Sequence, residues 1–253
     1  MVKISFVIPA YNEEARIGAC IEAIQKEVAR AGLPIQVGVR ELEPGESEIV
    51  VVNNASTDRT KEAASRYAGA RVVDEPTKGL VHARAAGFAA TNGELVANVD
   101  ADVLLPEGWL TTALNEFTNK KLVALSGPFV YHDLSPVLRA LTKLWYFIGW
   151  TLTGMRIQGG NFIIRRDAWQ REGGFDTRIA FYGEDTDIGR RMRRQGVVKW
   201  SWRLWVYASG RRLAQEGALM AAFHYASNHL WVTLFGKPFT KKYKDIRTDT
   251  VSK

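Results

Sequence analysis

Two aspartates one residue apart, Asp100 and Asp102, follow an apolar run that ends at Val99. Carboxylates this close repel each other unless a cation or a set of donors offsets them. A hard divalent ion, Mg²⁺ or Mn²⁺, takes oxygen ligands and shares them with phosphate, so this pair can hold a metal. The plainer alternative is a turn whose acids cap a helix running from Pro106 to about Phe117. A second acidic cluster, Glu184-Asp185-Thr186-Asp187, stands at a predicted helix start. There the dipole and the free amides stabilise anions, and one acid could accept a proton from an incoming hydroxyl. The same residues also make an ordinary helix start. Arg190 and Arg191, about two turns later, could hold Asp187 or approach phosphates, or else join Arg193 and Arg194 on a solvated basic face. Lys78-Gly79 and Arg84 flank the start of another helix, whose N-terminus could help hold an anion. His224 borders an apolar helical stripe and reads as a further metal ligand or a helix-edge residue, while His229 is predicted on the opposite face.

The elements that must position these groups are easiest to place in the first half. Ile4 to Ile8 is a short apolar strand, and Ile17, Cys20, Ile21, Ile24 and Val28 recur at helical spacing until Gly32 ends the pattern. Leu33 to Ser47 reads as a loop, and Glu48 to Val52 as a strand ending in Asn53-Asn54-Ala55-Ser56-Thr57-Asp58, suited to a turn and helix cap. A helix to about Gly69, a strand at Arg71 to Val73, a helix over Gly79 to Ala90 and a strand from Glu94 to Val99 follow. Strands and helices alternating at these lengths predict a mainly parallel α/β sheet flanked by helices. Ligands of such sheets gather beyond the carboxyl ends of the strands. Pro9-Ala10-Tyr11-Asn12, Asn53-Asn54 and Asp100-Ala101-Asp102 should therefore converge on one edge. Further on, Leu122 to Tyr131 is predicted as a strand, Ser135 to Thr153 as an apolar helix, Phe162 to Arg165 as a strand, Glu184 to about Gln195 as a helix and Val197 to Tyr207 as a strand. From Arg211 the chain is predicted helical, with Leu219, Met220, Phe223, Leu230, Trp231 and Leu234 on one stripe.

Totals bound the function. A chain of 253 residues can bury a substantial core, and 46% hydrophobic with 24% charged residues is the balance of a globular protein. A net charge of +7 favours anionic partners, but no recognition motif points to nucleic acid. Cys20, the one cysteine, cannot form an internal disulfide and falls on the apolar stripe of its helix as a small core residue, which fits a reducing compartment. Ile4 to Ile8 is too short for a secretory signal, and no stretch is a clean transmembrane span.

In order and spacing, the motifs resemble the family 2 glycosyltransferases, inverting enzymes of the GT-A fold. The matching pieces are Phe6 to Glu14, Val51 to Asp58, Lys78-Gly79 with Arg84, Val99 to Asp102, Gly159-Gly160-Asn161 and Glu184 to Asp187. The resemblance spans about residues 4 to 205. It implies that residues 1–205 form the nucleotide-sugar-binding and catalytic domain, and that residues 206–253 form a C-terminal helical appendage on the acceptor or membrane side. It implies further that Pro9, Ala10, Tyr11 and Glu13 lie against the nucleoside, and that Asn54 stands where the family has a base-contacting acid. Asp102 would hold the metal, Asp100 the ribose or the metal side of the diphosphate, and Asp185, with Glu184 beside it, would be the catalytic base. The implied reaction is transfer from a UDP- or GDP-sugar to an acceptor hydroxyl in a single displacement, the metal, Lys78 and Arg84 offsetting charge on the leaving diphosphate.

A nucleotidyltransferase would use a similar sheet and metal, but its Gly-rich basic signature near the N-terminus is absent and Glu184-Asp185 has no role in it. A degenerate nucleotide-binding scaffold is opposed by the intact Asp100, Asp102 and Asp185. The apolar stripe after residue 217, followed by Lys237, Lys241, Lys242 and Lys244, reads either as a helix packed over the catalytic core, the favoured alternative, or as an interfacial helix with a basic flank. The acceptor would then be lipid-linked or a polysaccharide, and the protein cytoplasmic, at the inner membrane face if these helices touch lipid.

Overall fold

The computed structural model describes residues 3–36, 42–149, 151, 154, 156–179 and 182–240. Parts of the loop expected at 33–47 and of the helix end expected at 149–153 lie outside the described residues, as do Lys241, Lys242 and Lys244.

Strand β1 (Ile4–Ala10) is buried along its whole length, as expected of a central parallel strand covered on both faces. It pairs in parallel with β2 (Ser47–Asn53) on one side and β4 (Leu95–Val99) on the other, and β2 pairs in parallel with β3 (Ala70–Asp74). Beyond β4 the sheet changes sense: β7 (Asn161–Arg165) runs antiparallel to both β4 and β5 (Leu122–Ser126), and β5 pairs in parallel with β8 (Val197–Trp200). The seven strands stand in the order β3-β2-β1-β4-β7-β5-β8.

Alternate residues of β1 serve two cores. Phe6 and Ile8 pack with α1 (Ile17–Arg30) and α4 (Trp109–Glu116), whereas Val7 packs on the other face with α3 (Leu80–Ala89), α6 (Arg166–Arg171) and α7 (Glu184–Met192). The α1 stripe of Ile17, Cys20, Ile21, Ile24 and Val28 is buried as its spacing requires. Each large apolar side chain so buried contributes about 1.5–3 kcal/mol. The mainly parallel sheet between helices thus matches the expected fold class. The helix expected after Asp58 is shorter than read, only Thr60–Ser65 (α2).

Two expected strands are each divided. Leu122 to Tyr131 breaks at Gly127-Pro128 into β5 and β6 (Phe129–Tyr131), and Val197 to Tyr207 breaks into β8 and β9 (Val206–Ala208). Strands β6 and β9 form a separate two-stranded parallel sheet. A side chain at Gly127 would lie 2.2 Å from the Leu204 carbonyl oxygen, so the two crossing segments need glycine there. The expected division at residue 205 falls just before β9, whose pairing with β6 ties the start of the C-terminal segment to the body.

Helices α5 (Pro136–Ile148), α8 (Arg211–Glu216) and α9 (Ala218–Phe235) complete the described chain. The α9 stripe does not pack over the core, contrary to the favoured expectation. Leu219 is 89% exposed, and Met220, Phe223, Leu230 and Leu234 are exposed as well. Instead Ala221, Asn228 and Val232 are buried on α9, with the Val232 methyls directly beside Gly183 at the start of α7. Val137, Leu141, Leu144 and Phe147 leave a second apolar face on α5. Among the described residues no helix is long and apolar enough to cross a membrane.

Candidate active site

Because β1, β2 and β4 are neighbours and parallel, their carboxyl ends deliver Tyr11, Asn54 and Asp100 to one edge of the sheet. The antiparallel β7 begins at that same edge, with Asn161 opposite Val99, so Gly159-Gly160 meets the aspartates. A Cβ on Gly160 would lie 2.3 Å from a carboxylate oxygen of Asp100, which is the physical reason for glycine in this turn. Asn161 itself is wholly buried: its amide donates to the Gly127 and Leu204 carbonyls at 3.1 and 2.6 Å and accepts from the Trp109 indole at 3.1 Å. It joins the main sheet to the 127 and 204 crossovers, a structural role that composition did not reveal.

At the centre is Arg84, on α3, whose side chain is 1% exposed. Its guanidinium pairs with the Glu184 carboxylate at the start of α7 and with Asp100 at 3.1 Å. Burial opposes the guanidinium's charge, but Asp100, Glu184 and Asp185 outweigh it and raise its pKa. The side chain expected to approach phosphates is thus a buried clamp between the two acidic clusters.

Glu184 is buried, and that burial, with the charge of Asp185 next, pushes its carboxyl up to about 8 against the pull of Arg84. Burial likewise raises Asp185, opposed by Arg84 and by His229. The dipole at the helix start was expected to depress these carboxyls; desolvation wins. Asp185 accepts the Thr186 amide at 2.7 Å, and the Thr186 hydroxyl lies 2.9 Å from Nδ1 of His229. His229 therefore faces α7 beside Asp185, a placement set by α9 packing that no stripe on α9 alone could predict. Of the two basic candidates on α7, Arg191 holds Asp187 at 2.8 Å, and Arg190 stands 3.6 Å from the same carboxylate.

Asp102 and Glu13 share a partner. Arg211, on α8, reaches Asp102 at 3.1 Å and bonds both oxygens of Glu13, its Nη1 at 3.1 Å. A guanidinium thus stands where the two clusters call for positive charge, and it is supplied by the segment past residue 205. Asp100 and Asp102 are both partly open to solvent and offer hard oxygen donors. Mg²⁺ and Mn²⁺ need only one or two carboxylates when phosphates and water complete the shell, so the pair fits such an ion. His224 does not join them: its Nδ1 lies 3.9 Å from Glu216 and its ring lies against Tyr182. Among the described residues no three His, Cys, Asp or Glu side chains stand together as a metal-ligand group.

On the β1–β2 side, the Lys78 ammonium lies 3.9 Å from the centre of the Tyr11 ring, beyond Pro9 and Ala10. Asn12 and Ala55 both take left-handed backbone conformations, φ 52° and 56°, in the two adjoining loops. Such geometry costs about 1–2 kcal/mol for alanine and persists where its surroundings fix it. Asn54 is buried with its amide fully engaged: it donates to the Glu75 and Thr77 carbonyls at 3.1 and 2.7 Å and accepts from the Gly79 amide at 2.8 Å. An aspartate could not donate to those two carbonyls. Asn54→Asp is accordingly expected to cost roughly 1–3 kcal/mol, read as a lowered midpoint in urea at unchanged slope; unchanged stability would show that the amide is not what holds the 75–79 turn. Cys20 is buried with its thiol pushed up by that burial, as a core residue should be.

The sequence family described as glycosyl transferase family 2 matches residues 5–171. A curated relative, the probable glycosyltransferase YdaM of Bacillus subtilis (strain 168), is 28% identical over 242 residues, covering 80% of this chain and 52% of YdaM. This chain spans about half the length of the curated relatives it matches, or less. The mannosyltransferase PcManGT from Pyrobaculum calidifontis, solved in complex with GDP-Man and Mn²⁺, superposes with a TM-score of 0.63 at 20% identity, over 90% of this chain and 61% of its own. Glucosyl-3-phosphoglycerate synthase from Mycobacterium tuberculosis, solved with Mn²⁺, UDP-glucose and phosphoglyceric acid, gives 0.60 at 20% identity, over 94% and 81%. At those identities the structures establish the shared GT-A fold. The sequence match covers well over half of the chain, and the chain belongs to glycosyl transferase family 2.

Proposed function

We propose that this protein transfers a glycosyl residue from a UDP- or GDP-sugar to an acceptor hydroxyl by a metal-assisted single displacement with inversion. The observation that carries the reading is the Arg84 clamp, which ties the acidic start of α7 to the aspartate pair after β4. Two fold neighbours were solved with GDP-Man and Mn²⁺ and with UDP-glucose and Mn²⁺, which supports the donor class and the ion.

In this reading Pro9, Ala10, Tyr11 and Glu13 border the nucleoside, Lys78 adds positive charge beside it, and Asn54 holds the 75–79 segment that carries Lys78. Asp100 and Asp102 would hold Mg²⁺ or Mn²⁺, which when bound neutralises charge on the departing diphosphate. Asp185 takes the acceptor proton as the acceptor oxygen bonds to the anomeric carbon. The bond to the diphosphate oxygen breaks on the opposite face, and its electron pair leaves with the diphosphate. Arg84 and Glu184 act through Asp100 and Asp185 by fixing them. We place the reaction in the cytoplasm, with a lipid-linked or polysaccharide acceptor. The apolar faces of α5 and α9 support peripheral contact with the inner membrane surface.

The test is a thermal-shift series with UDP-, GDP- and dTDP-sugars, with and without Mn²⁺. Stabilisation of about 2.7 kcal/mol at a hundredfold excess over Kd, seen only with metal, is expected for one nucleotide. No response to any donor in either condition would contradict the reading. A pH profile probes the base. With both carboxyls raised by burial, the acid limb of kcat/KM should lie above the ordinary carboxylate range. A limb inside the ordinary carboxylate range would show that neither buried carboxyl sets it.

A further inference from the structure

Asp185 has a second side. Besides facing Arg84 it lines a cavity of about 50 Å³ that Arg84 does not border, bounded by Gly154, Arg156, Ile157, α7 and α9. The ionisable walls are Arg156, Asp185, Arg190, Arg193 and His229, with the Thr233 hydroxyl among them. Among the described residues that line it, three guanidiniums and an imidazole stand with one carboxylate. Asp187 offsets part of the Arg190 charge, at 3.6 Å, but is held chiefly by Arg191 at 2.8 Å. Arg193 donates to the Gly154 carbonyl at 2.6 Å, a bond that neutralises no charge. Burial, and then the nearby Arg193, hold the Arg156 guanidinium below its usual pKa. Positive groups gathered around a hollow make it a favourable seat for an anion.

We propose that this cavity seats a phosphate group carried by the acceptor, held by Arg156, Arg193 and His229, with the acceptor hydroxyl presented to Asp185. The inference rests on the transferase reading and names the acceptor class for the same site. A phosphate monoester brings a charge near −2 at neutral pH and three acceptor oxygens, which suits several guanidiniums better than a single carboxylate does. The donor diphosphate belongs on the other side of the Arg84 clamp, with Asp100 and Asp102, so the two phosphate sites are distinct. The phosphate could come from a small phosphorylated hydroxy compound or from a lipid headgroup. Leu230 and Leu234, exposed on α9 beside His229 and Thr233, lie where the chains of such a lipid would run.

The experiment uses the full chain, saturated with nucleoside diphosphate and Mn²⁺ so that the donor side is filled. Calorimetry is run with glycerol 3-phosphate, with glycerol and with acetate, alongside sedimentation with phosphatidylcholine vesicles with and without phosphatidic acid. Binding of glycerol 3-phosphate but not glycerol or acetate is expected, and Arg156→Gln and Arg193→Gln should each weaken it about tenfold or more. Thr233→Glu, at an exposed position, adds a carboxylate to the wall and should do the same without disturbing packing. Arg171→Gln, a surface control for net charge, should not. Vesicle binding that needs phosphatidic acid and is lost in the cavity variants, without binding of glycerol 3-phosphate, assigns the phosphate to a lipid headgroup. Absence of phosphate binding in both arms, or binding indifferent to all three cavity variants, overturns the proposal. Thermal shifts with donor and Mn²⁺ on the same samples report the transferase reading separately, so either can fail while the other stands.

Discussion

Replacing Asp185 by asparagine is expected to lower kcat by about 10²–10⁴-fold while leaving donor affinity within a factor of about two. Asparagine keeps the size and can still accept the Thr186 amide, which Asp185 now holds at 2.7 Å. It cannot take a proton. The donor groups on the far side of Arg84 lose no bond, since Arg84 is held by Glu184 and Asp100. Thus kcat should fall and donor Kd should not, a split between chemistry and binding that a structural role would not produce. Steady-state kinetics together with donor titration of the same variant read both quantities. Equal turnover in the two proteins would remove Asp185 from its proposed role.

Arg84→Met should be the most destabilising substitution in the site. Its guanidinium is almost wholly buried and counters Glu184, which is itself buried, and Asp100. Removing one partner of such a pair leaves an uncompensated buried charge and costs about 3–5 kcal/mol. For a chain of this size that corresponds to a Tm lower by roughly 6–20 °C. The sign with pH follows from Glu184, whose carboxyl already sits at about 8 and rises further once Arg84 is gone. A carboxyl raised above its unfolded value favours the folded state while protonated, and that contribution is lost as pH climbs through the folded pKa. The variant should accordingly lose more stability at pH 9 than at pH 6. Adding Glu184→Leu should restore much of the loss, because an apolar pair replaces the stranded acid. Urea unfolding at the two pH values, single against double variant, measures all three.

The parts of the fold that were legible in the sequence are those where local pattern and tertiary setting agree. Strands β1, β2 and β4 announce themselves as apolar runs that stop at polar residues, and their parallel pairing follows from the helices between them. Asp100, Asp102 and Asn54 reach one edge for that reason alone. What periodicity could not supply was any feature decided between elements. The chain near Pro128 and that near residue 204 each looked like one strand, yet both cross from the main sheet to β6–β9, and only the Gly127-Pro128 pair hinted at it. His229 lies against α7 because α9 buries Asn228 and Val232 rather than its long apolar stripe. Arg84 read as a basic residue near a helix start, and nothing local distinguishes a solvated arginine from one buried between Glu184 and Asp100. Arg211 is the same case across 198 residues of sequence, joining Glu13 to Asp102 from a segment that looked like an appendage.

Metal-dependent sugar transfer at the Asp100–Asp102 edge is tested most directly by incubating the protein with a donor nucleotide sugar and following nucleoside diphosphate release, with Mn²⁺ and then with excess chelator. Slow transfer to water should release nucleoside diphosphate in the metal arm, fall to background with chelator, and be lost in the Asp102→Asn and Asp185→Asn proteins. Release that is indifferent to metal and to both substitutions, or no release from any donor the protein binds, would contradict it.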